Sequence, residues 1–143
     1  MKVTCGSFVI NSENRILLCR TTGTASDWTI PKGLLENNEL PHMAAKRELL
    51  EETGIDIIKH PHTMTELGLY PYTHKNKVLA GFLFQLEGTI EQKLFCESTF
   101  MDLRTGRRLP EVDLYAWVPM IYAMSYMRTE QVKLLKQHMN KGE

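Results

Sequence analysis

Glu48, Glu51 and Glu52 sit together in a run of good helix formers, Ala44-Ala45-Lys46-Arg47-Glu48-Leu49-Leu50-Glu51-Glu52. At about 100° per residue, Glu51 and Glu52 fall on either side of Glu48, and the three carboxylates share an arc of roughly 100°. Like charges at i,i+3 and i,i+4 repel and weaken a helix. A helix needing only solubility would interleave lysines there. Converging carboxylates suit a divalent cation instead, and hard oxygen donors suit Mg²⁺ or Mn²⁺. Arg47 adjoins the acids and can fix one carboxylate by a bidentate bond. Ala44 and Ala45, one turn away, are small enough to leave room for a metal and a ligand. Met43 and Leu50 on one flank and Leu49 on another predict a helix packed on both sides, with only the acidic strip open.

The residues around this helix extend the pattern. Gly33, five residues, Glu39, seven residues, Arg47-Glu48-Leu49, one residue, Glu51-Glu52, one residue, then Gly54-Ile55 follow in unbroken spacing. They fit G-x5-E-x7-R-E-U-x-E-E-x-G-U, with U aliphatic, at every fixed position. On this pattern the chain resembles the Nudix hydrolase family. Trp28-Thr29-Ile30-Pro31-Lys32 ahead of the box and Glu111…Trp117-Val118-Pro119 after it also look like that family. The likeness covers roughly residues 3–119. Asn37-Asn38 depart from it, because members often carry Pro or Gly there; this alters turn chemistry and no ligand.

The resemblance implies an α/β chain of α+β type, a mixed sheet between helices, with the box forming loop–helix–loop. It implies hydrolysis, by water, of the pyrophosphate in a nucleoside diphosphate linked to another moiety. Glu48 and Glu52 would hold Mg²⁺ or Mn²⁺, with the Gly33 carbonyl as a further ligand. Glu51 would be a metal ligand or the base acting on the attacking water. Arg47 would orient Glu48 or Glu51, and Glu39 would ion-pair or reach a metal through water. Leu49, Gly54 and Ile55 complete the box as structural positions. Some members take the base from a loop outside it, for which Glu97 and Glu111 are the candidates.

The substrate is less legible. Trp28-x-x-Pro31-Lys32-Gly33 looks like the lead-in to the box in hydrolases of dinucleoside polyphosphates such as diadenosine tetraphosphate, with Lys32 meeting a phosphate or lying beside a core tryptophan. Tyr70 and Tyr72 either stack on a base or pack in a sheet. Arg104, Arg107 and Arg108 in the loop 104–108 either bind extra phosphates or are solvated. Other Nudix substrates, such as modified nucleoside triphosphates, ADP-ribose or the 5′-triphosphate end of RNA, are the alternative. A catalytically silent Nudix-fold ligand sensor is the alternative from another class, and the intact acids argue against it. A Ca²⁺-binding structural protein lacks its D-x-D-x-D-G loop. His42, His60, His62, His74 and His138 show no metal-ligand spacing.

Several elements must position these residues. Residues 3–10 and 16–19 read as strands of a hairpin around the turn 11–14, and 28–30 as an extended piece stopped by Pro31. The helix is expected over 41–53, with Pro41 in its first turn and Gly54 as its stop. Residues 66–72 and 77–87 read as strands joined by the turn 73–76. The stretch 88–110 reads as a long loop with a short helix, and 111–118 as a last strand. The terminal helix is expected over 129–139, with Val132, Leu135 and Met139 on its apolar face. The apolar segment 120–127 fits core or an interface.

The whole is expected to be one domain, 1–143, since no repeat or linker divides it. Seventeen basic side chains balance seventeen acidic ones. That balance excludes a polybasic binder of double-stranded DNA or of membrane surfaces. No apolar run approaches the roughly 20 residues that span a bilayer, and the first residues do not read as a signal peptide. Three widely spaced cysteines argue for reduced thiols, so a cytoplasmic chain is expected.

Overall fold

Strand β1 (Lys2–Ile10) carries the architecture because both of its faces are buried. Cys5 and Val9 point to one side of the sheet, Phe8 and Ile10 to the other. Burial on both faces explains why the strand lacks a clean apolar/polar alternation, with Thr4 and Ser7 buried among its apolar residues. The structure is a computed structural model and describes residues 1–141.

β1 runs parallel to β6 (Lys77–Leu86), in register from Lys2↔Lys77 to Ile10↔Gln85. β6 forms an antiparallel hairpin with β5 (His62–Pro71), as the sequence predicts, with a bulge between Glu66 and Gly68. On its other edge β1 pairs with the short β4 (Lys32–Leu34). β2 (Arg15–Thr21) lies between β3 (Trp28–Thr29) and β9 (Val112–Pro119). The expected β1–β2 hairpin is therefore mostly absent. The two strands pair only at Ile10↔Ile16 and then diverge, and the edges they would share are taken by the short β4 on β1 and β3 on β2.

Helix α1 (Pro41–Thr53) has the predicted bounds. Gly54 ends it at φ 79°, a left-handed conformation that favours glycine, and its N–H bonds the Leu50 carbonyl at 2.8 Å. α1 covers one face of the sheet through Ala44, Ala45 and Leu49, all fully buried. The Ser7 hydroxyl donates to the Ala45 carbonyl at 3.0 Å across this contact. The two alanines thus let the helix approach β1; the room for a metal and a ligand that the sequence leads us to expect beside them is filled by the sheet. Nor is the helix packed on both flanks. Leu50 and Met43 are 42% and 51% exposed, so only the Leu49 side is covered.

The opposite face is covered by α2 (Met120–Ala123) and α3 (Thr129–Lys141). Leu134, Leu135 and Gln131 of α3 are buried, whereas Met139, expected on the apolar face, is exposed. Within 120–127 the choice divides by residue. Ala123 and Met127 are core, while Ile121, Tyr122 and Tyr126 face outward.

Residues 88–110 hold no α-helix. Their second half is a two-stranded ribbon, β7 (Thr99–Asp102) against β8 (Arg107–Pro110). Its short strands expose both faces and show no apolar period, which hides them in the sequence. No described helix is long and apolar enough to cross a membrane.

Candidate active site

The last two turns of α1 bring Glu48 and Glu52 inward and leave Glu51 more open. Arg47 organises the rest. Its Nε and Nη2 grip Glu39 at 2.7 and 3.0 Å, its Nη1 reaches Glu48 at 2.8 Å and Glu51 at 3.4 Å, and its Nη2 also bonds the Leu34 carbonyl at 3.0 Å. One guanidinium thereby ties the approach segment to the helix, a task for which its planar fork is suited. The bidentate partner is Glu39, which lies outside the helix. The Arg47 bonds hold the Glu39 carboxyl below the usual carboxylate range, and Glu39 in turn keeps Arg47 firmly protonated.

Gly33 lies directly against the Glu48 carboxylate, and a Cβ on Gly33 would occupy the same space. Its neighbour Lys32 donates its backbone N–H to Glu52 Oε1 at 2.9 Å. β4 therefore touches both buried acids, one at each residue. Burial pushes the Glu52 carboxyl up to about 8, against the pull of the Lys32 N–H and with further repulsion from Glu48 and Glu111. Burial likewise raises Glu48, although Arg47 opposes the effect. The Lys32 ammonium is lowered by burial, with Glu52 pulling the other way.

These residues fit a hard divalent cation. Two buried carboxylates four residues apart repel each other, and the one with no side-chain cation bonded to it, Glu52, resists ionisation. Among the described residues no three acidic, imidazole or thiol groups are already drawn tightly around one point. An arriving ion would compete with Arg47 for Glu48.

The end of α1 is held by groups that no sequence motif marks for this task. The carbonyls of Glu51, Thr53 and Gly54 accept from the Glu97 N–H, the Phe95 N–H and the Gln92 side chain at 2.7, 3.1 and 3.0 Å. The Tyr115 hydroxyl donates to the Glu52 carbonyl at 2.6 Å. Across the sheet, fully buried Gln131 accepts from the Ile30 N–H and donates to the Thr29 hydroxyl, steadying the strand that leads to Lys32. No local motif marks these positions, because each acts through a partner far away in the chain.

Beside Glu52 a cleft of about 400 Å³ is lined by Thr21, Thr22, Thr29, Ile30, Lys32, Glu52, Phe100, Glu111 and Val112. Of the two outside candidates for a base, Glu111 faces this cleft; Glu97 is exposed and does not line it. Tyr70 and Tyr72 are not brought here. They pack against the core on the α3 side, and Tyr72 is only 9% exposed. Nor do the three arginines converge. Arg104 sits at the ribbon's turn beside Asp102 and is 91% exposed, Arg108 bonds Thr99, and Arg107 stands opposite Asp102 on the other face from Arg108.

A family model described as the NUDIX domain matches residues 2–136. This chain belongs to the Nudix family. An uncharacterized 17.7 kDa protein of Enterobacteria phage T4 is 34% identical over 131 residues, 83% of each chain. A MutT-like protein of Streptomyces ambofaciens is 29% identical over 116 residues, covering 80% of this chain and 71% of its own. The crystal structure of a C. elegans Ap4A hydrolase binary complex shares the fold. It has a TM-score of 0.69 and 19% identity, and covers 98% of this chain and 96% of that one. With the complete box present, this Nudix protein is a pyrophosphohydrolase, of a family that generally needs a divalent metal ion.

Proposed function

We propose that this Nudix hydrolase cleaves a phosphoanhydride bond in a nucleoside diphosphate linked to another moiety, with dinucleoside polyphosphates such as diadenosine tetraphosphate as its substrates. The observation that carries this reading is the single cleft in which Lys32, Glu52 and Glu111 meet. Glu48 and Glu52, with the Gly33 carbonyl, would hold Mg²⁺ or Mn²⁺. When bound, such an ion neutralises phosphate charge and lowers the pKa of a coordinated water. Lys32 binds a neighbouring phosphate from the cleft wall. Arg47 keeps Glu48 directed, anchored in turn by Glu39. Glu51 joins the metal or takes the proton of the attacking water, and Glu111 is the alternative base. The preference for dinucleoside polyphosphates rests on Trp28-x-x-Pro31-Lys32-Gly33 and on the fold shared with an Ap4A hydrolase.

The test is product analysis with Mg²⁺ or Mn²⁺ over diadenosine tetraphosphate, ADP-ribose, NADH, nucleoside triphosphates and 5′-triphosphate RNA. The reading expects the highest kcat/KM for diadenosine tetraphosphate. Faster removal of phosphate from the RNA end would assign the exposed arginines of the ribbon to an RNA substrate. Tight binding of one compound with turnover of none would make the chain a sensor.

A further inference from the structure

The cleft wall has a second chemistry that phosphate binding does not use. Besides its charged groups it presents Phe100, Val112 and Ile30, together with the threonines Thr21, Thr22 and Thr29. Phe100 comes from β7, in the ribbon that the sequence conceals, and is 37% exposed although it is a large apolar ring. Val112 and Ile30 are buried and supply a fixed apolar floor. The Thr22 hydroxyl is buried beside the cleft without a hydrogen-bond partner, while the Thr22 N–H is anchored to the Glu111 carbonyl at 3.1 Å. A buried hydroxyl left unpaired is costly. The cleft thus combines a half-exposed aromatic ring and an apolar floor with Lys32.

We infer that Phe100 is a specificity-determining residue whose ring stacks on the heteroaromatic base of the nucleotide while the phosphates lie toward Lys32 and Glu52. The ribbon β7–β8 is then a substrate-recognition element that delivers this ring to the cleft. This places the base-binding half of the ligand on the ribbon side, where Tyr70 and Tyr72 do not reach. The inference rests on the pyrophosphohydrolase reading only in requiring base and phosphates to belong to one ligand.

Two non-hydrolysable probes separate base from phosphate: α,β-methylene-ADP and methylenediphosphonate, the same phosphate mimic without nucleoside. Isothermal titration in the presence of Mg²⁺ compares the wild type, Phe100→Ala and Phe100→Tyr. Alanine is expected to weaken α,β-methylene-ADP roughly ten-fold or more, as loss of one base–aromatic stack does, with less than about two-fold change for methylenediphosphonate. Tyrosine, which keeps the ring, is expected to retain wild-type affinity for both. Equal weakening of both probes by alanine would make Phe100 a support of the phosphate site and overturn the inference. So would unchanged nucleotide binding, or a wild type that binds only the diphosphonate. Because these are binding measurements, an absence of turnover in the substrate panel counts against the proposed reaction and leaves this result readable.

Discussion

At the residue scale the site turns on Glu52. Its carboxyl is buried, bonded by one backbone N–H and raised to about 8. In excess EDTA the folded chain therefore holds a proton that the unfolded chain, with an ordinary value of 4.5, has released. Between these two values the native state binds more protons, so stability falls as pH rises through that window and levels off above it. Thermal melts in EDTA from pH 5 to 9 are expected to show this decline, and Glu52→Gln is expected to flatten it. The same substitution keeps an oxygen for the Lys32 N–H. It removes the charge proposed to hold the metal, a contribution of several kcal/mol in the transition state, so kcat is expected to fall about a thousand-fold while the circular dichroism spectrum stays unchanged. Gly33→Ala places a methyl where the Glu48 carboxylate lies. It is expected to weaken activating Mg²⁺, raising the concentration needed for half-maximal rate, more than it lowers the melting temperature. The box residues were legible because spacing alone reports them. An ion pair of Glu39 and a bidentate bond of Arg47 were each expected, but not that they are one and the same contact, because Glu39 precedes Pro41 and escapes the helical wheel.

At the scale of elements, α1 is positioned by what closes its ends and one face. Its bounds could be read from Pro41 and Gly54, which act locally. Its packing could not. Ala44 and Ala45 look like space for a ligand until Ser7 and β1 are seen against them. The ribbon β7–β8 was hidden for a related reason: two short exposed strands leave no apolar period, and Phe100 acquires meaning only from the cleft it lines. Helix α3 acts at a distance through Gln131, whose side chain satisfies the Ile30 N–H in the dry interior. Gln131→Leu leaves that N–H unpaired and is expected to cost about 1–3 kcal/mol in urea unfolding, with an unchanged m value. A slackened β3 should also loosen Lys32, raising KM more than it lowers kcat.

At the scale of the whole molecule, charge is separated within a neutral total. Residues 36–52 carry Glu36, Glu39, Glu48, Glu51 and Glu52 against Lys46 and Arg47, while residues 104–108 carry three arginines and no acid. The structure arranges the first group around Arg47 and one cleft and spreads the second over an exposed ribbon. The charge of a pyrophosphate entering the cleft meets one basic side chain, Lys32, beside Glu52 and Glu111, so catalysis should depend strictly on a divalent cation. The most direct measurement is the rate of diadenosine tetraphosphate cleavage, followed by anion-exchange separation of the nucleotides, with Mg²⁺ or Mn²⁺ and again in excess EDTA. The account predicts nucleotide products with either ion, none above background in EDTA, and recovery when the ion is restored in excess. Cleavage that persists undiminished in EDTA would contradict it.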